Sequence, residues 1–115
     1  MELKTQSISN GNISILALSG RFDAYEVNLV KSWLNEQANM SNPHIIVNLS
    51  NVNFIDSTGL AALVQGMKYC RQKNGNLYLC GLQQPVRIIF ELTRLDKAFD
   101  IYNEEDDAIK AFLLE

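Results

Sequence analysis

The sequence predicts an α/β domain with a mixed, mostly parallel central sheet of 4–5 strands and about four helices. Two observations carry this. Short β-branched apolar runs alternate with segments of helical period, and the alternation follows an opening hairpin, which implies a sheet parallel in its middle. The run Ile45-Ile46-Val47-Asn48-Leu49 is too apolar for a strand with one wet face and suits one buried on both.

Residues 3–9 alternate weakly, Asn10-Gly11 is a hairpin signal, and residues 13–18 supply the second strand. Ser19-Gly20-Arg21-Phe22-Asp23 follows, with Asp23 placed to N-cap a helix over about 24–40. That helix carries two apolar stripes. Val27, Val30, Leu34 and Ala38 should face the sheet, whereas Tyr25, Leu29 and Trp33 point largely away from it. The second stripe either packs under a loop or a neighbouring helix, or forms an exposed patch that meets another protein.

Asn42-Pro43 closes this region, because proline disfavours a helical residue before it. The central strand, 45–49, is followed by a second apolar piece, 52–55, and then by Asp56-Ser57-Thr58-Gly59. Beyond the glycine, Leu60, Leu63, Val64 and Met67 recur at helical spacing, so a helix starts at Asp56-Ser57-Thr58 and runs to about Lys73. Asn74-Gly75 is a C-cap pair, 76–81 a fourth strand, and Pro85 sits in the first turn of a third helix with Val86, Ile88, Ile89, Phe90, Leu92 and Leu95. Residues 98–102 suit a short edge strand. Asn103 then caps a last helix whose first turn holds four acids and whose apolar residues are Ala108, Ile109, Phe112 and Leu113.

The 115 residues, 47% hydrophobic and without repeat or linker, read as a single domain spanning 1–115. No apolar run approaches the length of a membrane span and no leader pattern opens the chain, so a soluble cytoplasmic protein without membrane insertion is expected. A net charge of −3 without basic clusters argues against a nucleic-acid partner. Cys70 and Cys80 match no zinc spacing and read as buried free thiols.

Chemistry concentrates at 56–59. A helix N-terminus offers unpaired N–H groups and partial positive charge, and a hydroxyl there reaches solvent. One cap residue would suffice, yet three oxygen-bearing side chains stand in a row. Gly59 costs helix stability, about 0.5–1 kcal/mol against alanine, which implies a close approach to its backbone.

Enzyme readings gain little. A Ser57 hydrolase needs a base, and His44, the only histidine, lies at the far end of the central strand, roughly 20 Å away by extended-chain spacing. No phosphate-cradling glycine loop occurs, and a magnesium site on Asp23 and Asp56 has no further support in the chain. No cofactor and no metal ligand set is expected.

The pattern Gly20-x-Phe22-Asp23 before a helix, Val-Asn-Leu-Ser-Asn-Val-Asn-Phe-Ile-Asp56-Ser57-Thr58-Gly59-Leu60, Asn-Gly-Asn-Leu before a strand, and Pro-Val-Arg-Ile-Ile-Phe in a helix resembles the STAS family, of the stand-alone anti-sigma factor antagonist type. The resemblance runs through essentially the whole chain. It implies a bacterial regulatory binding protein without catalysis. Ser57 would be phosphorylated by a serine kinase of the GHKL ATPase type, the anti-sigma factor. The unphosphorylated form would bind that kinase and free its client, the phosphorylated form would let go, and a PP2C-type phosphatase would reset it. Asp23 would belong to the docking surface, with Asp56, Ser57, Thr58 and Gly59 around it. Arg21, where the family usually has an acid, and Arg94, where it often has glycine, depart from the pattern.

Thr58 is the competing acceptor; as the next residue it should bond backbone or face the sheet. A constitutive scaffold or accessory domain, with Ser57 only a cap, is the alternative function. Oligomeric state has no signature in the sequence.

Overall fold

A computed structural model describes residues 2–9 and 11–114. The elements run β1 (Glu2–Ile8), β2 (Ile13–Phe22), α1 (Val27–Ala38), β3 (His44–Ile55), α2 (Ser57–Gln72), β4 (Asn76–Cys80), α3 (Gln84–Leu92), a 3-10 turn (Leu95–Lys97), β5 (Asp100–Tyr102) and α4 (Glu105–Leu113). One five-stranded sheet has the order β1-β2-β3-β4-β5. β1 pairs antiparallel with β2, and every other neighbour is parallel. The predicted mixed sheet is therefore present, with its antiparallel pair at one edge. Asn10 of the hairpin signal lies outside the described residues; Gly11 beside it has φ +86°.

Successive strand residues point to opposite faces, and the core divides accordingly. Leu77 and Leu79 of β4 join the cluster formed with α1, α2 and α3, while Tyr78 and Cys80 join a smaller one under α4. Parallel crossovers of one hand in an unbroken strand order carry the first three helices to the same side. Val27, Val30, Leu34 and Ala38 are buried as the first α1 stripe requires. Gly66 lets α1 meet α2: a Cβ there would lie 3.1 Å from Leu34 Cδ1 and 3.2 Å from Leu77 Cδ1. Cys70 and Cys80 are buried free thiols, pushed up by burial to about 11 and about 12 respectively.

Several boundaries differ from expectation. The two apolar pieces 45–49 and 52–55 are one twelve-residue strand, β3. Ser50 and Asn51 are exposed on it and do not break it. β2 likewise continues through Phe22, with register irregularities at 17–19 and 20–21. β4 pairs only with His44–Asn48, so beyond Asn48 β3 has β2 alone as a neighbour. The two strands project past the sheet as a ribbon.

Asp23 does not cap α1. The helix starts four residues later, and its N-cap residue, Glu26, makes no side-chain cap bond. Asp23 Oδ1 instead accepts from the Tyr25 N–H at 3.1 Å, closing an Asx turn. Asn103 does not cap α4 either; that position falls to Glu104, again without a side-chain cap bond. Glu105 is engaged elsewhere, its Oε2 accepting from Asn48 Nδ2 at 2.8 Å. The C-terminus of α2 matches its signal. Gly75 N–H donates to Cys70 O at 2.8 Å and Asn74 N–H to Arg71 O at 3.2 Å, a Schellman pair with Asn74 left-handed at φ 65°.

α3 ends at Leu92, so Leu95 belongs to the 3-10 turn rather than to the helix. Between them Arg94 stands left-handed at φ 64°. A left-handed conformation strains any residue with a Cβ by roughly 1–2 kcal/mol, part of which glycine's greater unfolded-state entropy offsets. Arg94→Gly is therefore expected to stabilise the fold by about 0.5–1 kcal/mol in urea unfolding.

Candidate functional site

The end of the β2–β3 ribbon places two short segments side by side, residues 20–26 and 55–59. Gly20, at φ +97°, sits at the last register irregularity of β2 and supplies the backbone turn that a Cβ would hinder. Beyond it Arg21 faces outward and Phe22 is fully buried. Phe22 O accepts from the Asp56 N–H at 3.3 Å. Gly59, buried in the first turn of α2, lies directly over this junction. A Cβ at Gly59 would stand 2.8 Å from Phe22 O and 2.9 Å from Ile55 Cγ1. The close approach expected from the sequence thus comes from the protein's own β2, and Gly59 acts through packing.

Asp56 is the N-cap of α2, in extended backbone conformation. Its Oδ1 accepts from Thr58 N–H at 3.0 Å, Gly59 N–H at 3.0 Å and the Thr58 hydroxyl at 2.6 Å. Oδ2 accepts from the Ala24 N–H at 3.1 Å, across on the other segment. One carboxylate therefore caps the helix and also ties the turn after β2 to it. The Thr58 hydroxyl bond above all, then the Gly59, Ala24 and Thr58 backbone donors, hold the Asp56 carboxyl below the usual carboxylate range. Partial desolvation opposes them.

Ser57 is the first helical residue and is exposed; its hydroxyl has no hydrogen-bond partner among the described residues. Thr58 is exposed too, but its hydroxyl is committed to Asp56. The bonding expected of Thr58 is thus to the cap carboxylate rather than to backbone or sheet. Asp23 stands at the same end, half-buried, with Arg21 Nε 3.6 Å from its Oδ2. The Arg21 guanidinium also lies over the Phe54 ring at 3.8 Å, as the pairing of Arg21 with Phe54 across the ribbon requires. Sequence reading missed Ala24 and Phe54. Ala24 acts through its backbone N–H, which no side-chain pattern reveals, and Phe54 became legible only once β2 and β3 were known to extend together.

The Tyr25-Leu29-Trp33 stripe divides. Tyr25 is 94% and Leu29 63% exposed. Trp33 is half-buried against the main core, in a groove beside β1 with Thr5, Ser7 and Met40. His44 lies at the opposite end of β3 from Ser57, its ring stacked on Phe112 at 4.5 Å, so the two are not brought together.

Comparison with known proteins agrees with the fold. The STAS domain family model matches residues 4–108. The anti-sigma F factor antagonist of Paenibacillus polymyxa is 28% identical over 110 residues, covering 95% of this chain and 94% of that protein. The anti-sigma-B factor antagonist of Staphylococcus epidermidis is 30% identical over 95 residues, 83% of this chain and 88% of that protein. Among solved structures, the anti-sigma factor antagonist SpoIIAA in its unphosphorylated form superposes with a TM-score of 0.84 at 18% identity, covering 99% of this chain and 98% of that one. The phosphorylated form of the Bacillus cell fate determinant SpoIIAA gives 0.76 at 18% identity, covering 96% and 99%. At that identity the likeness is one of fold.

Gly59→Ala is expected to destabilise the protein by about 1–3 kcal/mol, since the Phe22 carbonyl cannot yield as a flexible side chain would. Asp56→Asn is expected to lower the melting temperature at neutral pH. Because the folded Asp56 titrates below its ordinary value of 3.8, its contribution is fully present above that pH and is lost as pH falls through the folded value. The difference in melting temperature between wild type and Asp56→Asn should accordingly narrow below pH 3.8. A difference independent of pH would rule out the charged carboxylate as its source.

Proposed function

The chain belongs to the STAS domain family, and on that premise we propose that it is an anti-sigma factor antagonist switched by phosphorylation of Ser57. In this reading the unphosphorylated form binds a serine kinase of the GHKL type that doubles as an anti-sigma factor, and so frees the kinase's client. Phosphorylation releases the complex, and a PP2C-type phosphatase restores the starting form. The observation that supports Ser57 as the acceptor is the contrast between two neighbouring hydroxyls. That of Ser57 is exposed without a partner among the described residues, and that of Thr58 is held at 2.6 Å by Asp56. Antagonists of two sigma systems among the relatives support the class of partner.

The switch follows from local charge. A phosphoserine carries about −1.5 to −2 at pH 7. Its position at the start of a sixteen-residue helix favours negative charge through the helix dipole. The Thr58 and Gly59 N–H groups already serve Asp56, so the phosphate adds to an occupied cap. Asp56 and Asp23 stand in the same surface, and Arg21 offsets only part of their charge. A partner seated over a neutral serine would meet repulsion and an unfavourable desolvation after modification. About 1.4 kcal/mol suffices for each tenfold loss of affinity. Because Ser57 is exposed on the first turn of α2, the fold need not move.

Ser57→Asp is expected to abolish partner binding with an unchanged circular dichroism spectrum, and Ser57→Ala to bind constitutively. Unfolding of Ser57→Asp would refute the local electrostatic account. Phosphopeptide mass spectrometry on the protein from its own host tests the acceptor directly. A chain unmodified across growth conditions, and after incubation with host lysate and ATP, would instead favour a constitutive scaffold.

A further inference from the structure

Two exposed apolar side chains, one in the turn that Asp56 holds and one in the first turn of α1, have no role in the capping geometry. Tyr25, 94% exposed, occupies the turn between β2 and α1, and Leu29, 63% exposed, lies in the first turn of α1. An isolated exposed leucine is ordinary on a protein surface. Tyr25 differs in how it is held. Its own N–H donates to Asp23 Oδ1 at 3.1 Å, and the Ala24 N–H before it donates to Asp56 Oδ2 at 3.1 Å. The Glu26 N–H after it donates to Asp23 O at 3.0 Å. Three consecutive amides of the turn are thus fixed by Asp56 and Asp23, two of them by the carboxylates. A large aromatic presented on a fixed backbone gives contact area at low conformational cost on binding, which is the character of an interface anchor.

Continuity identifies the occupant. Ala24, one residue from Tyr25, is hydrogen-bonded to Asp56, one residue from Ser57. A protein whose active centre reaches the Ser57 hydroxyl therefore covers the neighbouring turn. The other apolar side chains more than half exposed among the described residues, Met40, Leu92, Leu113 and Leu114, lie at or just past the C-terminal ends of α1, α3 and α4, away from the start of α2.

We infer that Tyr25, backed by Leu29, is the apolar anchor on which the kinase that modifies Ser57 docks, and that Asp23 and Asp56 are positioning residues that hold it there. The inference rests on the proposed phosphorylation of Ser57 and adds the surface that selects the enzyme. The kinase presents an apolar pocket beside its active centre, and docking at Tyr25 sets its affinity for the chain rather than the transfer step.

The test is the initial rate of Ser57 phosphorylation, followed by phosphopeptide mass spectrometry, when purified chain is added to host lysate with magnesium and ATP. Tyr25→Ser is expected to slow phosphorylation at least about tenfold at low chain concentration and to recover at high concentration. Leu29→Ser should slow it less, and Tyr25→Phe should stay within about twofold of wild type. Both positions of change are exposed, and circular dichroism checks the fold. Equal rates for wild type and Tyr25→Ser would overturn the docking role and leave the Ser57 switch intact. No phosphorylation of wild type would overturn both. Sedimentation equilibrium separates the remaining occupant: a wild-type dimer that Tyr25→Ser dissociates would assign the patch to a second copy of the chain and overturn the inference.

Discussion

The Asp56 carboxylate joins two parts of the chain that are more than thirty residues apart. Its Oδ1 takes up the Thr58 and Gly59 amides at the start of α2, and its Oδ2 reaches the turn that follows β2. An amide or hydroxyl could cap the helix, but a carboxylate has acceptor capacity on both oxygens and forms stronger, charge-assisted bonds. The arrangement also requires Gly59, because the first turn of α2 must settle on the Phe22 carbonyl with no room for a Cβ. Exposed Ser57, the committed Thr58 hydroxyl and the fixed Tyr25 turn all follow from this junction.

The sheet behind the junction separates stability from surface chemistry. Its apolar load lies mainly between the strands and α1, α2 and α3, with a second, smaller cluster under α4. β4 pairs with β3 only as far as Asn48, and beyond it β3 is held by β2, by the first turn of α2 and by Gln83 at the start of α3, whose Nε2 donates to Ser50 O at 2.7 Å. Charge added at the ribbon end meets solvent and the helix dipole before it meets the core. The proposed phosphorylation of Ser57 requires such a placement, a change of binding without a change of fold.

Arg21 modifies the electrostatics in a way its place in the motif only partly announces. Its guanidinium sits between the Phe54 ring and the Asp23 carboxylate, and it is largely exposed. The pair with Asp23 has its arginine largely in water, so it adds little to stability. In the proposed docking face, Arg21, Asp23, Tyr25 and Ser57 would offer positive, negative, apolar and neutral polar groups at one end of the sheet.

Much of the chain was legible from local rules. The apolar run at 45–49 made a strand buried on both faces, the 3.6-residue period after Gly59 made α2, and Asn74-Gly75 closed that helix as its signal requires. Helix-cap assignments fared worse at Asp23 and Asn103, because an aspartate or asparagine before a helical pattern serves a turn as readily as a cap, and local sequence does not distinguish the two. The expectation that something approaches Gly59 was sound, whereas its identity, the Phe22 carbonyl, depends on strands paired through space. Residue periodicity and special backbone positions therefore settled the order of elements, the type of sheet and the helix start that carries Ser57, since those are properties of neighbouring residues. Pairing decided the rest: that β2 and β3 outrun the sheet, that Asp56 reaches Ala24, that Thr58 is occupied while Ser57 is open, and that Tyr25 is exposed while Trp33 is half-covered. Each of these sets a side chain or amide against a residue distant in sequence, and only the folded geometry fixes which distant residue that is.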